Sequence, residues 1–460
     1  MDLTIVILAA GKGTRMRSSM PKVLHRLAGR SMVEHVITAA QQLEPAEIRL
    51  VFGHGGEQMK TALASQPVTW VEQTEQLGTG HAVDQAMPGI ADNHVVLVLY
   101  GDVPLVNPET LKGLVAAGAG DALGLLTIEL SDPTGYGRVV RHHHTGTVER
   151  IVEQKDANVE EAAIREVNTG ILAVKAGPLR KWLANLSNDN AQGEYYLTDI
   201  IAAAVADDVP VATAHPASET EVAGVNDKLQ LSRLERSYQR AKADQLMRDG
   251  VHLYDPARVD LRECTLTHGD DVVLDVNVIL EGNVSLGDGV RIGANVHLSN
   301  CTIGPGTEIL PNSMIEDAVI GAGARIGPFA RLRPGTELAD DVHIGNFVET
   351  KKAVIASGSK VNHLSYIGDA EIGAGCNIGA GTITCNYDGA NKHLTRVGDH
   401  AFVGSNTALV APISVGDGAT IGAGSTLSQN VPAGGLTLAR PKTTTIPHYR
   451  RPKKTPKAGN

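Results

Sequence analysis

The sequence predicts an α/β domain with a mainly parallel sheet, then a long helix, then a solenoid of six-residue repeats. Three observations carry that prediction. Over residues 1–226 short aliphatic runs alternate with helix-period patterns. Residues 227–249 hold neither Gly nor Pro. From residue 280 onward an aliphatic recurs at about every sixth position, a period found in neither a helix nor an ordinary strand.

In the first part, Thr4–Ala10 reads as a buried strand, and Ile48–Phe52 and Val95–Leu99 as further strands. Ser31 and Glu34 form an S-x-x-E capping box. Val33, Val36, Ile37 and Ala40 then share one helix face. In the second part, Asp227 caps the start of the long helix and Gly250 its end. At 1.5 Å per residue it reaches roughly 35 Å. Its charged surface and thin apolar stripe suit a spacer rod between domains, or one more surface helix of the first domain. The expected divisions are 1–228, 229–249 and 250–460.

In the third part Leu280, Leu286, Ile292 and Leu298 open the series. It continues through Ile326 and Ile344 to Ile378, with Thr350 at one position. Four steps are five residues long: 298→303, 315→320, 350→355 and 367→372. Three hexapeptides make one triangular coil, each side sending one aliphatic inward, and the coils stack. Gly often follows the aliphatic directly, as in Leu286-Gly287 and Ile303-Gly304, and is expected to relieve the corner. The period breaks at Thr384–Arg396 and resumes at Val397, so an insertion leaves there as a loop. The basic tail Arg450–Asn460 is expected to be disordered.

Composition agrees with a narrow, repeated interior. Gly counts 50 of 460 residues, yet aromatics are only 3%. A net charge of −10 argues against a nucleic-acid binder. The four cysteines include no C-x-x-C pair and suit reduced residues of a cytosolic protein. The start Met1-Asp2-Leu3 has no basic region of a signal peptide. No apolar run nears the ~20 residues of a membrane span.

Chemistry first appears where the first strand ends. Gly11 and Gly13 let backbone N–H groups approach an anion, with Arg15 and Lys22 bringing charge. Alone, such a loop is also a plain tight turn. The full string G-x-G-T-R-M-x4-P-K resembles the signature of sugar-1-phosphate nucleotidyltransferases. Asp102 stands where open α/β sheets bind ligands; alone, it is equally a cap or turn residue. His142-His143-His144 falls in a turn without spaced carboxylates and reads as a solvated loop.

In the solenoid, the inward pattern carries Arg331, Arg333, Lys351, Lys352, Asn362, His363 and Tyr366. His363 suits a general base, with Glu349 to orient it. A lone His on a β-solenoid is otherwise a solvated surface residue.

The strings Gly327–Gly335, Phe347–Lys352 and Ile378–Gly389 resemble those of the bifunctional N-acetylglucosamine-1-phosphate uridylyltransferase / glucosamine-1-phosphate acetyltransferase family. The resemblance runs from Leu8 to Arg440, departing at Thr350, where Met is commoner. It implies a Rossmann-like nucleotidyltransferase domain, a linker helix and a left-handed parallel β-helix. It implies a UTP and UDP-sugar site of Leu8, Ala9, Ala10, Gly11, Arg15, Lys22, Gln73, Gln76, Gly78, Thr79, Tyr100, Gly101, Asp102, Gly137, Glu153, Asn168 and Asn226. Within it Gln73, Gln76, Gly78 and Thr79 contact uracil, Gly137, Glu153 and Asn168 surround the sugar, and Asp102 and Asn226 hold Mg²⁺.

For acetyl transfer it implies His363 as base and Arg333, Lys351, Tyr366, Asn377 and Asn386 on glucosamine-1-phosphate. Ala380, Asn386, Tyr387, Ser405, Ala423 and Arg440 line the acetyl-CoA site. It also implies a cytoplasmic homotrimer acting on small molecules, with neither nucleic-acid binding nor membrane insertion. Two rivals stay open. One is a single-activity nucleotidyltransferase with a regulatory or oligomerising β-helix. The other is a non-catalytic binding protein.

Overall fold

The computed structural model describes residues 2–11, 13–53 and 55–451. Lys12 of the glycine-rich loop and tail residues 452–460, whose expected disorder included Lys453, Lys454 and Lys457, lie outside the described residues. The chain forms two compact units, Met1–Ala241 and Lys242–Asn460.

Leu3–Leu8, six consecutive buried residues, runs through the middle of the first unit's sheet. A strand apolar on both sides requires a packed layer on each face. Ile5 and Ile7 enter one core with Val33, Ile37 and Leu111; Val6 and Leu8 enter the other with Val83, Leu179 and Trp182. The helix Met32–Gln41 opens with the expected box. Ser31 Oγ accepts from Glu34 N at 3.4 Å, and the Glu34 carboxylate accepts from Ser31 N at 2.9 Å.

Leu3–Leu8 runs parallel to Glu47–Phe52 on one side and Val95–Tyr100 on the other. Glu166–Lys175 is antiparallel to Val95–Tyr100. The chain thus winds away from Leu3–Leu8 in both directions, which opens a crevice past its carboxyl end. Ala9 and Ala10, expected within the strand, have left it and line that crevice.

Lys228–Arg248 is one α-helix. Leu234 packs in the first unit with Met16, Leu27 and Met32. Ala28 N donates to the Glu235 carboxylate at 2.6 Å. Ala243 and Leu246 belong to the second unit's core. The thin apolar stripe is used in packing at both ends of the helix.

In the second unit, parallel pairing places Ile292 beside Ile309, then Ile326, Ile344, Val361 and Ile378. All are buried, and each such side chain contributes about 1.5–3 kcal/mol. The five-residue steps have a local cause. Asn300, Asp317, Lys352 and Asp369, one inside each, take left-handed φ of 46°, 44°, 46° and 44°, so the strand rounds the corner with one residue fewer.

The glycine after each aliphatic does something other than expected. A Cβ on Gly304 would stand 2.5 Å from the Gly321 carbonyl carbon of the next coil. Gly304 therefore permits coils to stack, while the left-handed corner is Gly306, φ 67°. The inserted loop is also shorter than expected. Thr384 is buried at an interior position, donating to Gly368 O at 2.9 Å and accepting from Gly368 N at 2.8 Å. The loop spans 386–394, between the strands Ile383–Cys385 and Thr395–Val397. Buried Thr350 likewise shares a 3.0 Å hydrogen bond with Thr336.

The polar residues expected inside the solenoid lie outside it. Arg331, Lys352 and His363 are exposed, and Arg333, Lys351, Asn362 and Tyr366 partly so. Leu332, Thr350, Val361 and Ile367 fill the interior instead, because successive strand residues face opposite sides. The cysteines are free. Burial pushes the Cys301 thiol up to about 12 and the Cys264 thiol to about 11, the condition of inert thiols. His143 and His144 lie exposed in the turn after Arg138–Arg141. Among the described residues, no helix is long and apolar enough to cross a membrane.

Candidate active sites

A cavity of about 500 Å³ opens at the carboxyl ends of Leu3–Leu8 and Val95–Tyr100. Leu8, Ala9, Ala10, Gly11, Lys22, Gln73, Gln76, Gly78, Thr79, Tyr100 and Asp102 line it. Lys22 Nζ pairs with the Asp102 carboxylate and donates to Asn226 Oδ1 at 3.4 Å. Val225 N donates to Asp102 O at 2.9 Å, which brings Asn226 to this corner. Two hard oxygens therefore face one cation. Mg²⁺ takes oxygen ligands and keeps its other positions for water and phosphate, so Asp102 and Asn226 fit it.

The loop opposite is held from behind. Tyr195 N donates to Leu77 O, and Gly80 N to Tyr195 O, both at 2.8 Å. Gly78 has φ 114°, and a Cβ there would stand 2.6 Å from Tyr195 O. Only glycine fits such an approach. Buried Gln73 donates from its amide to Gly78 O and His81 Nδ1, each at 3.1 Å. These contacts fix the positions at which Gln76 and Thr79 meet the cavity.

Gly137, Glu153 and Asn168 form a neighbouring wall rather than the cavity lining. Asn168 N donates to Gly137 O at 2.9 Å, and Thr198 Oγ1 donates to Glu153 at 3.0 Å. Burial raises the Glu153 carboxyl above its usual range. Tyr100 joins wall to cavity: burial, then the charges of Glu153 and Asp102, raise its phenol. Gly101 backs the cavity, donating to Leu8 O at 2.9 Å. Arg15 is exposed on the turn Thr14–Met16, off the cavity lining.

The second constellation lies on the outer surface of the solenoid. His363 Nδ1 donates to Asn346 Oδ1 at 2.9 Å. Glu349, expected in that role, instead accepts from Arg333 Nη1 at 2.7 Å. From His363 the surface continues down successive coils through Ala380, Ser405 and Ala423. Arg440 Nη2 lies 3.2 Å from the place a Gly422 Cβ would take. At ~4.8 Å per strand, four steps from His363 to Arg440 make a track of roughly 19 Å.

Around the strand Glu349–Ile355 of the other solenoid sheet gather Arg333, Lys351 and Lys392. The neighbouring Lys392 ammonium and then Arg333 hold the Lys351 ammonium below the usual lysine value. Lys392 comes from the 386–394 loop, which is internally tied. Asp388 accepts from Asn391 N at 2.7 Å, His393 Nε2 at 2.7 Å and Ala390 N at 2.8 Å, which holds its carboxyl well below the usual range. Buried Asn386 donates to Asp369, and exposed Tyr387 donates to Gly389 O at 2.6 Å. Tyr366 pairs in register with Glu349, whereas Asn377 pairs with Lys360 in the other sheet. One solenoid does not put Tyr366 and Asn377 on a common face.

A profile of the MobA-like NTP transferase domain matches residues 5–159. A profile of the GMPPB C-terminal domain matches 263–348, and one of the hexapeptide repeat of succinyl-transferase matches 395–429. The bifunctional protein GlmU of Ralstonia nicotianae is 57% identical over 452 residues, covering 98% of this chain and 99% of its own. The same protein of Methylococcus capsulatus is 59% identical over 454 residues, covering 99% and 98%. That of Ralstonia pickettii is 56% identical over 457 residues, covering 99% and 100%. The chain belongs to the bifunctional GlmU family.

As a GlmU-family enzyme it joins a nucleotidyltransferase to a hexapeptide-repeat acetyltransferase. His363 falls between the two solenoid profiles, in a stretch that the whole-chain GlmU relatives cover. Several residues escaped the sequence reading. Val23, Ala82 and Glu194 also line the cavity, and Thr198, Asn346 and Lys392 touch expected site residues. Of these, only Asn346 had a readable signal, since it lies one 17-residue coil before His363.

Proposed function

We propose that the second unit transfers the acetyl group of acetyl-CoA to the amine of glucosamine-1-phosphate. The first unit then couples the product to UTP, giving UDP-N-acetylglucosamine, a nucleotide sugar for cell-envelope synthesis, and pyrophosphate. The observation that carries this reading is a pair of separate constellations: Lys22, Asp102 and Asn226 at a cavity of about 500 Å³, and on the solenoid a His363–Asn346 pair together with a cluster of three cations. A solenoid serving only as scaffold has no need of the second.

In acetyl transfer the amine attacks the thioester carbonyl. The C–N bond forms, His363 Nε2 takes the amine proton, the C–S bond breaks, and CoA leaves as a thiolate that takes that proton from the imidazolium, giving the free thiol and restoring the base. Arg333, Lys351 and Lys392 hold the sugar phosphate, with Tyr366, Asn377 and Asn386 on the sugar. The track through Ala380, Ser405 and Ala423 beds the extended pantetheine arm, flanked by Asn386 and Tyr387. Arg440 meets CoA phosphate.

In uridylyl transfer a phosphate oxygen of N-acetylglucosamine-1-phosphate attacks the α-phosphorus of UTP. The bond to the β-phosphate breaks and pyrophosphate leaves, without a covalent enzyme intermediate. The protein's part is alignment and charge neutralisation. Leu8–Gly11, Gln73, Gln76, Gly78 and Thr79 hold the nucleotide. Lys22 and Arg15 neutralise phosphates, and Gly137, Glu153 and Asn168 hold the sugar. When bound at Asp102 and Asn226, Mg²⁺ supplies further neutralisation of phosphate oxygens.

The enzyme works in the cytoplasm as a homotrimer, with acyl sites between adjacent solenoids. The separation of Tyr366 and Asn377 onto different sheets supports that assembly. Incubation with glucosamine-1-phosphate and acetyl-CoA, following free thiol, tests the acyl half. Thiol release is expected; its absence sinks the acetyltransferase reading.

A further inference from the structure

The solenoid supplies its own control for the surroundings of His363. On each coil the position two residues past one interior aliphatic occupies the same column. His363 follows Val361, Asn346 follows Ile344, Pro328 follows Ile326, and Ala380 follows Ile378. An amide and an imidazole thus stand side by side where the coils before and after carry no polar side chain. The two are paired in backbone register, and the amide oxygen lies 2.9 Å from Nδ1.

The backbone beneath them is fixed from both ends. Leu364 N donates to Asn346 O at 3.1 Å, and Ser365 Oγ donates to His363 O at 2.8 Å. The residues that follow the pair, Phe347 and Leu364, take left-handed φ of 58° and 49°. Such φ is costly for bulky side chains. At the equivalent corner the preceding coil also carries a bulky residue, Phe329 at φ 57°, while others use Asn312 or Gly381.

We propose that Asn346 is the positioning residue for His363. Its amide oxygen accepts from Nδ1–H, which fixes the ring plane and the tautomer and leaves the Nε2 lone pair free for the substrate amine. When Nε2 takes that proton, the Nδ1–H bond to Asn346 is kept, so the ring need not turn between steps. The inference rests on His363 being the base.

Steady-state thiol release by three Asn346 variants, beside His363→Ala, tests it. Asn346→Ala is expected to lower kcat roughly 10- to 100-fold, with KM for both substrates within about twofold of wild type. Asn346→Asp, whose carboxylate also accepts from Nδ1–H, restores most of kcat. Asn346→Leu, close in volume and without an acceptor, does not, and it serves if the smaller variant fails to fold. Wild-type kcat in Asn346→Ala or Asn346→Leu, while His363→Ala is inactive, overturns the positioning role alone. So does equal loss in Asn346→Asp and Asn346→Leu, or a change confined to KM. Full activity in His363→Ala instead removes the base on which the inference rests.

Discussion

Lys22 and Asp102 form an ion pair across 80 positions of sequence. It joins the end of the glycine-rich segment to the second residue past the strand Val95–Tyr100. Asn226 turns its amide oxygen to the same ammonium at 3.4 Å. Two oxygens already arranged around a positive charge are what a divalent ion bound with a triphosphate requires.

Chelation should therefore separate the two activities. Excess EDTA is expected to stop pyrophosphate release, and added Mg²⁺ to restore it, while thiol release continues. An acetyl transfer equally abolished by EDTA would contradict a metal serving the first unit alone.

At Gly78 the φ of 114° and the 2.6 Å approach to Tyr195 O leave no room for a side chain. Gly78→Ala must move the loop that carries Gln76 and Thr79. A misplacement near 1 Å costs about 10²-fold, so kcat/KM for UTP should fall by that order while acetyl transfer is unchanged. A UTP titration giving wild-type values would show that the loop does not position the nucleotide.

Lys351 is held below the usual lysine value by Lys392 and then Arg333. A lowered value means that its charge is lost earlier as pH rises. KM for glucosamine-1-phosphate should therefore climb on the alkaline side sooner than an ordinary lysine would require. Lys392→Ala removes the chief cause, so that rise should shift to higher pH even as affinity falls for want of a cation. KM measured across pH in both proteins checks the sign; a shift to lower pH would contradict it.

Thr384 satisfies both the N–H and the carbonyl of Gly368 inside the solenoid. Thr384→Val keeps the shape but leaves a buried N–H without its partner, at about 1–3 kcal/mol. Thermal unfolding should register that loss. An unchanged midpoint would mean that the N–H finds another acceptor.

The period of six marked the interior of the solenoid because aliphatic burial repeats once per side. It failed where a hydroxyl replaced the aliphatic, as at Thr384, and so overextended the loop. It also says nothing about the outward neighbours, whose partners depend on the offset between coils. The 17-residue offset puts Asn346 beside His363, whereas Glu349 precedes His363 by 14 and falls on another side. The capping box at Ser31 and Glu34 was legible because its parts lie three residues apart. The Tyr195 clamp on Gly78 was not, since it closes over more than a hundred residues. Lys392 was hidden for the opposite reason: a loop without a period gives no rule for where its side chains point.

The central claim is that one chain carries two chemically independent sites, one in each unit. Asp102→Ala and His363→Ala, each assayed for pyrophosphate release and for thiol release, test it most directly. Asp102→Ala is predicted to lose pyrophosphate release and keep thiol release, and His363→Ala to do the reverse. A folded variant in which either substitution abolished both would contradict the account.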